Sequence, residues 1–173
     1  MADNKIQKYT SKKTSINKSK PPRVYSEVLK RDVWKLNSTN LDIGGGAFDS
    51  LSHALSKHEV LNLIYDPYNR SKEHNEAVLR VAVDVDSVTI SNVLNVIKEK
   101  DVRLSVLSMA KNRLKSDGKL YITVYEGDKS GNGKQTGLDQ WQNNMKTIQY
   151  LDEVKQVFPF VEKRGYLIIA TKV

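Results

Sequence analysis

Short apolar runs alternate with amphipathic stretches along most of the chain. Apolar residues recur at helical spacing in four segments, at residues 24–29, 51–55, 102–114 and 148–158. Compact apolar runs predict strands at residues 40–43, 62–65, 88–94 and 119–125, and residues 160–163 and 166–171 predict a terminal hairpin. This alternation predicts an α/β fold with a doubly wound, mostly parallel sheet that ends in a C-terminal antiparallel hairpin.

The connection between residues 66 and 88 is short for a helix, a strand and a second helix. Residues 76–79 have a helical pattern, and apolar and polar residues alternate over residues 81–86 as in a brief strand. Further on, Gly118 is predicted to stop the helix over residues 102–114. A chain of 173 residues is most simply one domain, and the Pro21-Pro22 pair predicts that it spans residues 21–173.

A carboxylate, three glycines and a second carboxylate stand where the first strand becomes a helix. They are Asp42, Gly44, Gly45, Gly46 and Asp49. Glycines let the backbone turn sharply and approach a ligand closely, and the amides that open a helix remain free to donate to it. An acid beside this loop repels pyrophosphate but suits the ammonium and sulfonium charges of S-adenosylmethionine (SAM). The alternative is a glycine-rich turn that binds no ligand.

A second acid, Asp66, ends the next apolar strand about twenty residues beyond the loop. An acid at this spacing meets the ribose hydroxyls in βαβ nucleotide-binding folds. We therefore predict that Asp66, Pro67 and Tyr68 contact the cofactor. An Asp-Pro pair is also a common turn former, so a purely structural role for Asp66 is the alternative.

Four segments in this order resemble a class I SAM-dependent methyltransferase. They are the loop at residues 41–49, the YDPY sequence at 65–68, the SNVLNVI sequence at 91–97 and the YITVYEGD sequence at 121–128. The chain is most similar to small methyltransferase-like proteins of bacteriophages and of DNA phosphorothioation gene neighbourhoods, which share the YDPY and VLNVI segments. The resemblance covers roughly residues 38–173 and implies a Rossmann-like fold with SAM as cofactor.

The resemblance also implies residues that contact the cofactor after the third and fourth strands of the family. The family's third strand is expected to be shortened or missing here, which leaves Asp84 as the candidate adenine contact. Asn92 and Asn95 follow a buried strand and are predicted to face the cofactor or substrate, because ligands bind at the carboxyl ends of such strands. Their alternative role is that of satisfied turn amides. Residues 91–94 do not match the Asp/Asn-Pro-Pro-Tyr/Phe motif of DNA amino-methyltransferases, so N-methylation of a base is not supported.

A long polar segment with several glycines follows the strand over residues 119–125 and is predicted to be a mobile lid on the acceptor side. Tyr125, Glu126 and Asp128 are candidate bases at its start. Near its end, the substrate candidates are Trp141, Gln142, Asn143 and Asn144. The Trp is expected to stack on a planar acceptor and the amides to read its polar edge. Alternatively the Trp anchors the loop, the amides cap the last helix and the acids are solvated loop residues.

The positive charge lies mainly at the N-terminus. Residues 1–35 contain ten Lys or Arg against three Asp or Glu, giving +7, whereas the remaining residues hold eighteen against seventeen, giving +1. Residues 1–20 are predicted to be a disordered basic arm, because they have few apolar side chains. Its lysines are Lys5, Lys8, Lys12, Lys13, Lys18 and Lys20. The arm either binds nucleic acid through phosphates or only keeps the protein soluble, and SAM affinity is expected not to depend on it.

Other features narrow the class of protein. The chain has no cysteine, so disulfides and thiolate metal sites are excluded. His53 and His58 have no partners at metal-ligand spacing and are taken as surface residues, so no metal is predicted. No apolar run reaches the length of a membrane span and no signal-peptide core is seen, which favours a cytoplasmic protein without a membrane partner.

These observations together predict a SAM-dependent methyltransferase with an unidentified methyl acceptor. Two other classes stay open at this point. One is a SAM-binding sensor or catalytically inactive accessory module. The other is a nucleotide-binding protein, which the acid beside the glycines disfavours.

Overall fold

The computed structural model describes residues 6–14 and 17–173. Strands and helices alternate along this part of the chain. The helices are α1 (Arg23–Arg31), α2 (Ser50–Ser56), α3 (Lys72–Val81), α4 (Lys100–Arg113) and α5 (Leu151–Val157). The strands are β1 (Ser38–Ile43), β2 (Val60–Tyr65), β3 (Val85–Ser91), β4 (Leu114–Thr123), β5 (Lys134–Gly137), β6 (Gln140–Gln142), β7 (Phe160–Arg164) and β8 (Leu167–Thr171). Single 3-10 turns lie at Lys12–Thr14, Leu94–Val96 and Thr147–Tyr150.

Six strands form one sheet in the order β2-β1-β3-β4-β8-β7, and β5 and β6 form a separate hairpin. Strands β1 to β4 are parallel, whereas β8 runs antiparallel to β4 and β7 antiparallel to β8. The predicted fold class, including the C-terminal antiparallel pair, is confirmed. Because the four parallel strands point the same way, their carboxyl ends meet at one edge of the sheet.

Apolar side chains cover both faces of this sheet. On one face, Val88, Ile90 and Leu120 pack against α3, α4 and α5 in the larger core. On the other face, Tyr121 and Ile169 pack against α1 and α2 in a smaller core. Burial on both faces explains why β8 begins with a continuous apolar run over residues 167–170. No helix within the described residues is long and apolar enough to cross a membrane.

Two sequence-based assignments need correction. Residues 81–86 do not form a separate strand, because α3 continues to Val81 and Asp84 adopts a left-handed conformation (φ +50°) just before β3 begins. Among the described strands none lies between β2 and β3 in the chain and β2 pairs only with β1, so the third strand that the sequence resemblance implied is missing there. Gly118 does not stop a helix either, since α4 ends at Arg113 and Gly118 lies inside β4.

A buried ion pair joins α4 to α5 and fixes the turn that follows β3. The Arg103 guanidinium donates to both carboxylate oxygens of Glu153, at 2.8 and 2.6 Å. It also donates to the carbonyls of Ile97 and Lys98, at 2.8 and 2.9 Å. Planar, bidentate geometry of this kind gives both strength and direction. The pair therefore holds the start of α4, and with it the 3-10 turn at Leu94–Val96, in one position.

We predict that Glu153→Ala destabilises the protein by about 3–5 kcal/mol, because it leaves the Arg103 charge buried without its partner. Urea unfolding at neutral pH measures the change. Asp152→Ala is the matched control, since it removes a carboxylate from the neighbouring, exposed position. Equal effects of the two substitutions would contradict the role given to the pair.

Candidate functional site

The three glycines lie at the carboxyl edge of the sheet, between the end of β1 and the start of α2. Gly44 and Gly46 have φ values of +74° and +77°, a region that other residues rarely adopt. A Cβ on Gly45 would lie 2.3 Å from Asp42 Oδ2, and one on Gly44 would lie 2.4 Å from a methyl group of Val93. Both a positive φ and close contact thus require glycine at this turn.

Asp42 points into the sheet beneath this loop and is 2% exposed. The Thr89 hydroxyl donates to Asp42 Oδ1 at 2.8 Å, and Asn40 Nδ2 donates to the same hydroxyl oxygen at 2.9 Å. Burial raises the pKa of Asp42 to about 7, an effect that the hydrogen bond from Thr89 opposes and the charge of Asp66 reinforces. The loop therefore covers a carboxylate that changes its charge near neutral pH.

Asp66 directly follows β2 and ties the glycine loop to the next turn. Its carboxylate accepts hydrogen bonds from the backbone N–H groups of Gly46, Tyr68 and Asn69, at 2.8, 2.9 and 2.9 Å. The side-chain amide of Asn69 adds a longer contact of 3.2 Å. Asp66 thus has the structural role of a turn former, and the predicted ribose contact stays a prediction. Pro67 lies inside the same turn.

Arg70 also contacts this loop, although no sequence motif marked it as a site residue. Its Nε donates to the carbonyl of Gly46 at 2.8 Å, and its Nη2 pairs with the carboxylate of Asp49 at 2.8 Å. Asp49, at the start of α2, is therefore held by Arg70 rather than by a hydrogen bond to its own helix. These contacts fix the loop at both of its ends.

Acidic groups from distant parts of the chain surround Tyr68. Burial raises the pKa of Tyr68, and the neighbouring Tyr65 and the charges of Asp66, Asp139 and Glu99 raise it further. Glu99 and Asp139 were not among the predicted site residues, since they lie on a polar helix start and in a hairpin turn. Together with Asp42 and Asp66, they place several acidic side chains at this edge of the sheet.

The two asparagines after β3 have different surroundings. Asn92 is exposed, and its backbone adopts a left-handed conformation (φ +56°). Its N–H donates to the carbonyl of Thr123 at 2.9 Å. Asn95 is buried, and its Nδ2 donates to Gln142 Oε1 at 3.0 Å. Within the described residues, Asn95 Oδ1 and Glu99 Oε2 are buried acceptors without a hydrogen-bond partner. Groups of this kind fit a ligand that carries donors.

Asp84 does not join this cluster. It lies one residue before β3 begins, so it belongs to the amino edge of the parallel strands, whereas Asp42 and Asp66 lie at the carboxyl edge. Its side chain is exposed. The assignment of Asp84 as the adenine contact is therefore corrected, because Asp84 and the candidate cofactor loop lie at opposite ends of the parallel strands.

The three candidate bases follow β4 at the carboxyl edge. Partial burial raises the pKa of Glu126, but hydrogen bonds from the Thr147 N–H and hydroxyl, both 2.8 Å, outweigh it and hold the pKa below its usual range. Ser130, through its hydroxyl and N–H, similarly lowers the pKa of Asp128. Both carboxylates are therefore weak bases that brace the loop. Tyr125 is exposed, and its hydroxyl has no partner among the contacts described.

The amides predicted to read the acceptor are instead buried and engaged within the protein. Gln142 Nε2 donates to the carbonyl of Tyr125 at 2.9 Å. Asn143 Nδ2 donates to the carbonyl of Leu94 at 2.8 Å, and Asn144 Nδ2 to that of Asn132 at 2.9 Å. These side chains brace the loops against each other in the structure, and their contact with a substrate stays a prediction.

Trp141 is also an anchor rather than a free stacking surface. Its ring stacks on Tyr9 at 5.5 Å with an interplanar angle of 15°, and Lys98 Nζ lies 4.7 Å from the ring centre. Its Nε1 donates to Asn143 Oδ1 at 2.8 Å. A Cβ on Gly133 would lie 2.5 Å from the ring. With these neighbours on its ring, Trp141 belongs to the packing of the β5–β6 hairpin.

Part of the predicted arm makes specific contacts. Tyr9 and Ser11 are buried against the β5–β6 hairpin, where the Tyr9 ring stacks on Trp141. Lys12, Lys13, Lys18 and Lys20 are exposed. Lys5 lies outside the described residues, as do residues 1–4, 15 and 16 of the arm.

Similar solved structures identify the fold. The Burkholderia thailandensis 1,6-didemethyltoxoflavin-N1-methyltransferase, with bound 1,6-didemethyltoxoflavin and S-adenosylhomocysteine, matches with a TM-score of 0.64 and 15% identity over 87% of this chain and 77% of that chain. A TehB-like SAM-dependent methyltransferase from Corynebacterium glutamicum matches with a TM-score of 0.52 and 15% identity, over 86% of this chain and 85% of that chain. The Thermus thermophilus 16S rRNA N2 G1207 methyltransferase, in complex with AdoMet and guanosine, matches with a TM-score of 0.56 and 12% identity. The match covers 100% of this chain and 45% of that chain.

These likenesses show that the chain has the Rossmann-like fold of class I SAM-dependent methyltransferases. A scan against protein-family models gives no match, and a search of curated proteins gives none either. At these identities the shared feature is the architecture.

The raised pKa of Asp42 predicts a pH-dependent stability. Its folded pKa of about 7 exceeds the ordinary value of 3.8. Between these pH values the folded protein binds more protons than the unfolded chain, so stability falls as the pH rises. We expect this carboxyl to remove about 2 kcal/mol between pH 5 and pH 8. Urea unfolding of wild type and Asp42→Asn at both pH values measures it. The same pH slope in both proteins would contradict the assignment.

Proposed function

We propose that this protein binds SAM at the glycine loop and transfers its methyl group to an acceptor. One observation supports the cofactor most directly: a buried carboxylate, Asp42, lies beneath a glycine loop at the carboxyl edge of a methyltransferase-like sheet. Ligands bind at this edge in open α/β sheets. The surrounding Asp66, Glu99 and Asp139 disfavour a pyrophosphate and favour a cation.

The residues present suit the two ends of SAM. Asp42, with the acceptor atoms of Asn95 and Glu99, would favour the cationic, donor-bearing methionine end. Asp66 would accept from the ribose hydroxyls in place of Asn69 Nδ2, which is its longest present contact at 3.2 Å. The glycines would let the backbone approach the ligand closely. Because the family's third strand is missing, no residue is assigned to the adenine.

SAM supplies an electrophilic methyl group on a sulfonium, so the protein must orient a nucleophile and exclude water. Asn92 and Tyr125 are exposed polar residues that follow β3 and β4 at the carboxyl edge of the sheet. We propose that they face the acceptor. If the nucleophile loses a proton, Tyr125 is the remaining candidate base, because Glu126 and Asp128 are held by loop hydrogen bonds.

A SAM-binding sensor or inactive accessory module is the second candidate function. The observation that favours it is the engagement of both candidate carboxylate bases and all three amides within the protein. Incubation with labelled SAM and fractionated DNA, RNA, protein and metabolites separates the two functions. Label transferred to any fraction supports the methyltransferase, whereas SAM binding without transfer supports the sensor.

The methyl acceptor is the part of the proposal that the fold does not decide. The similar structures include one with a small-molecule acceptor and one with an rRNA acceptor, as their names state. The exposed lysines of the N-terminal segment favour nucleic acid. An association with bacteriophages or with DNA phosphorothioation genes stays a prediction from sequence resemblance.

We predict that SAM binding tightens as the pH rises from 6 to 8, because a cationic ligand favours the ionised form of Asp42. S-adenosylhomocysteine lacks the sulfonium charge and should show a smaller change. Asp42→Asn should weaken SAM binding about tenfold or more at pH 8 and flatten its pH dependence. Calorimetry measures all three effects.

The control for this measurement is Asp117→Asn, which removes an exposed carboxylate near the amino end of β4, at the opposite edge of the sheet. It should bind SAM as wild type does. Unchanged SAM affinity in a folded Asp42→Asn protein would contradict the cofactor assignment. Tighter binding of ATP or NAD than of SAM would favour the nucleotide-binding class.

We predict that the double substitution Lys18→Gln/Lys20→Gln weakens nucleic-acid binding and reduces its salt dependence. Each lost phosphate contact should lower the slope of log K against log salt by about 0.7–0.9. Filter binding with double-stranded DNA and single-stranded RNA at several salt concentrations measures it. Lys155→Gln/Lys163→Gln is the matched control, since it removes two exposed lysines from the C-terminal part. Salt-insensitive binding by wild type would favour a small-molecule acceptor.

A further inference from the structure

The N-terminal segment lies across the carboxyl edge of the sheet, beside the proposed cofactor site. Gln7 Oε1 accepts from the Tyr68 hydroxyl at 3.4 Å, next to the turn that Asp66 organises. The backbone N–H of Lys8 donates to Glu99 Oε1 at 3.3 Å. Gln7 and Lys8 thus contact residues that follow β2 and β3 in the chain.

The next residues dock on the β5–β6 hairpin. The ring of Tyr9 stacks on Trp141, and its hydroxyl donates to Gln135 Oε1 at 3.2 Å. The N–H of Thr10 donates to Asp139 Oδ1 at 2.8 Å. Tyr9 is 8% exposed in spite of its place in a polar, basic segment. The stack with Trp141 is therefore the main apolar contact of the segment.

Two further contacts involve Ser11 and Asn17. Ser11 N–H donates to the carbonyl of Asp139 at 2.8 Å. Further along, the carbonyl of Asn17 accepts from the Ser50 hydroxyl at 2.6 Å, in the first turn of α2. The N-terminal segment thus contacts Tyr68, which follows β2 in the chain, and Ser50, which follows the glycine loop.

We propose that residues 7–11 form an N-terminal strap that closes over the cofactor site, and that strap docking and SAM binding stabilise each other. The inference rests on the proposed function, and it replaces the sequence-based expectation that SAM affinity does not depend on the arm, because the arm contacts Tyr68 and Glu99. Tyr9 and Asp139 are positioning residues, because they hold the strap against Tyr68 and Glu99 without occupying the site. Coupling of this kind is reciprocal, so a ligand that orders Tyr68 or Glu99 favours the docked strap, and the docked strap favours the ligand.

The strap is suited to open and close. Ordering a chain segment costs conformational entropy at every residue, and of these five residues only Tyr9 and Ser11 are buried. The remaining contacts are single hydrogen bonds of modest net strength. Docking also leaves Glu99 Oε2 as a buried acceptor without a partner among the described residues. A ligand that donates to it would shift the equilibrium toward the docked strap.

Calorimetry with S-adenosylhomocysteine tests the coupling on the full-length protein. Tyr9→Ala should weaken binding roughly three- to tenfold, the range that the loss of an aromatic stack represents. Tyr9→Phe keeps the stack and should bind within about twofold of wild type. Tyr166→Ala is the matched control, because it removes a tyrosine ring that packs on Arg23 and not on the strap.

Limited trypsin digestion supplies a readout that a loss of folding would not imitate. Lys8, Lys12 and Lys13 are exposed cleavage sites on or beside the strap. S-adenosylhomocysteine should slow cleavage after Lys8 in wild type and in Tyr9→Phe, but not in Tyr9→Ala at an unchanged melting temperature. Mass spectrometry of the released peptides measures it.

The possible outcomes separate the two proposals. If wild type binds S-adenosylhomocysteine but Tyr9→Ala binds it equally well, the strap is not coupled to the site, and the proposed function is unaffected. Cofactor-independent cleavage after Lys8 leads to the same conclusion. If wild type binds neither S-adenosylhomocysteine nor SAM, the proposed function fails and the coupling fails with it.

Discussion

Burial of the Asp42 carboxylate is the constraint on which the candidate site depends. A charge in the middle of a sheet is costly unless hydrogen bonds compensate it, and here Thr89 and Asn40 form a polar chain across β1 and β3 that leads to this carboxylate. Gly45 must lack a side chain because the carboxylate lies directly beneath it. The glycine loop, the polar residues of two strands and the raised pKa are therefore parts of one arrangement.

The second organising feature is the set of polar side chains that ties together the loops at the carboxyl edge. Asn143 joins the β5–β6 hairpin to the turn after β3, and Glu126 joins the end of β4 to the turn before α5. Such side chains resemble substrate-reading groups in residue type but make their hydrogen bonds within the protein. They make the edge a stable frame, which leaves the glycine loop and the N-terminal strap as the places where a ligand would meet the protein.

The sequence predicted well those features that are local. The periodicity of each segment indicated most helices and strands, and the acid-glycine pattern placed Asp42 and Asp66 at neighbouring strand ends. It failed where distant residues meet. Glu99, Asp139 and Arg70 came to the site through the packing of separate loops, and no nearby motif marked them. The type of residue at Trp141 likewise did not indicate that the ring of Tyr9, from the N-terminus, stacks on it.

The missing strand has a consequence for the sheet itself. The opposite edge, β7, ends in charged residues, Glu162, Lys163 and Arg164, which discourage another strand from pairing with it. Strand β2 (Val60–Tyr65) carries no charge and has the apolar composition of an inner strand, although among the described strands it pairs only with β1. The two edges are thus unequally protected against intermolecular β-pairing. Self-association of partly unfolded molecules is expected to begin at β2.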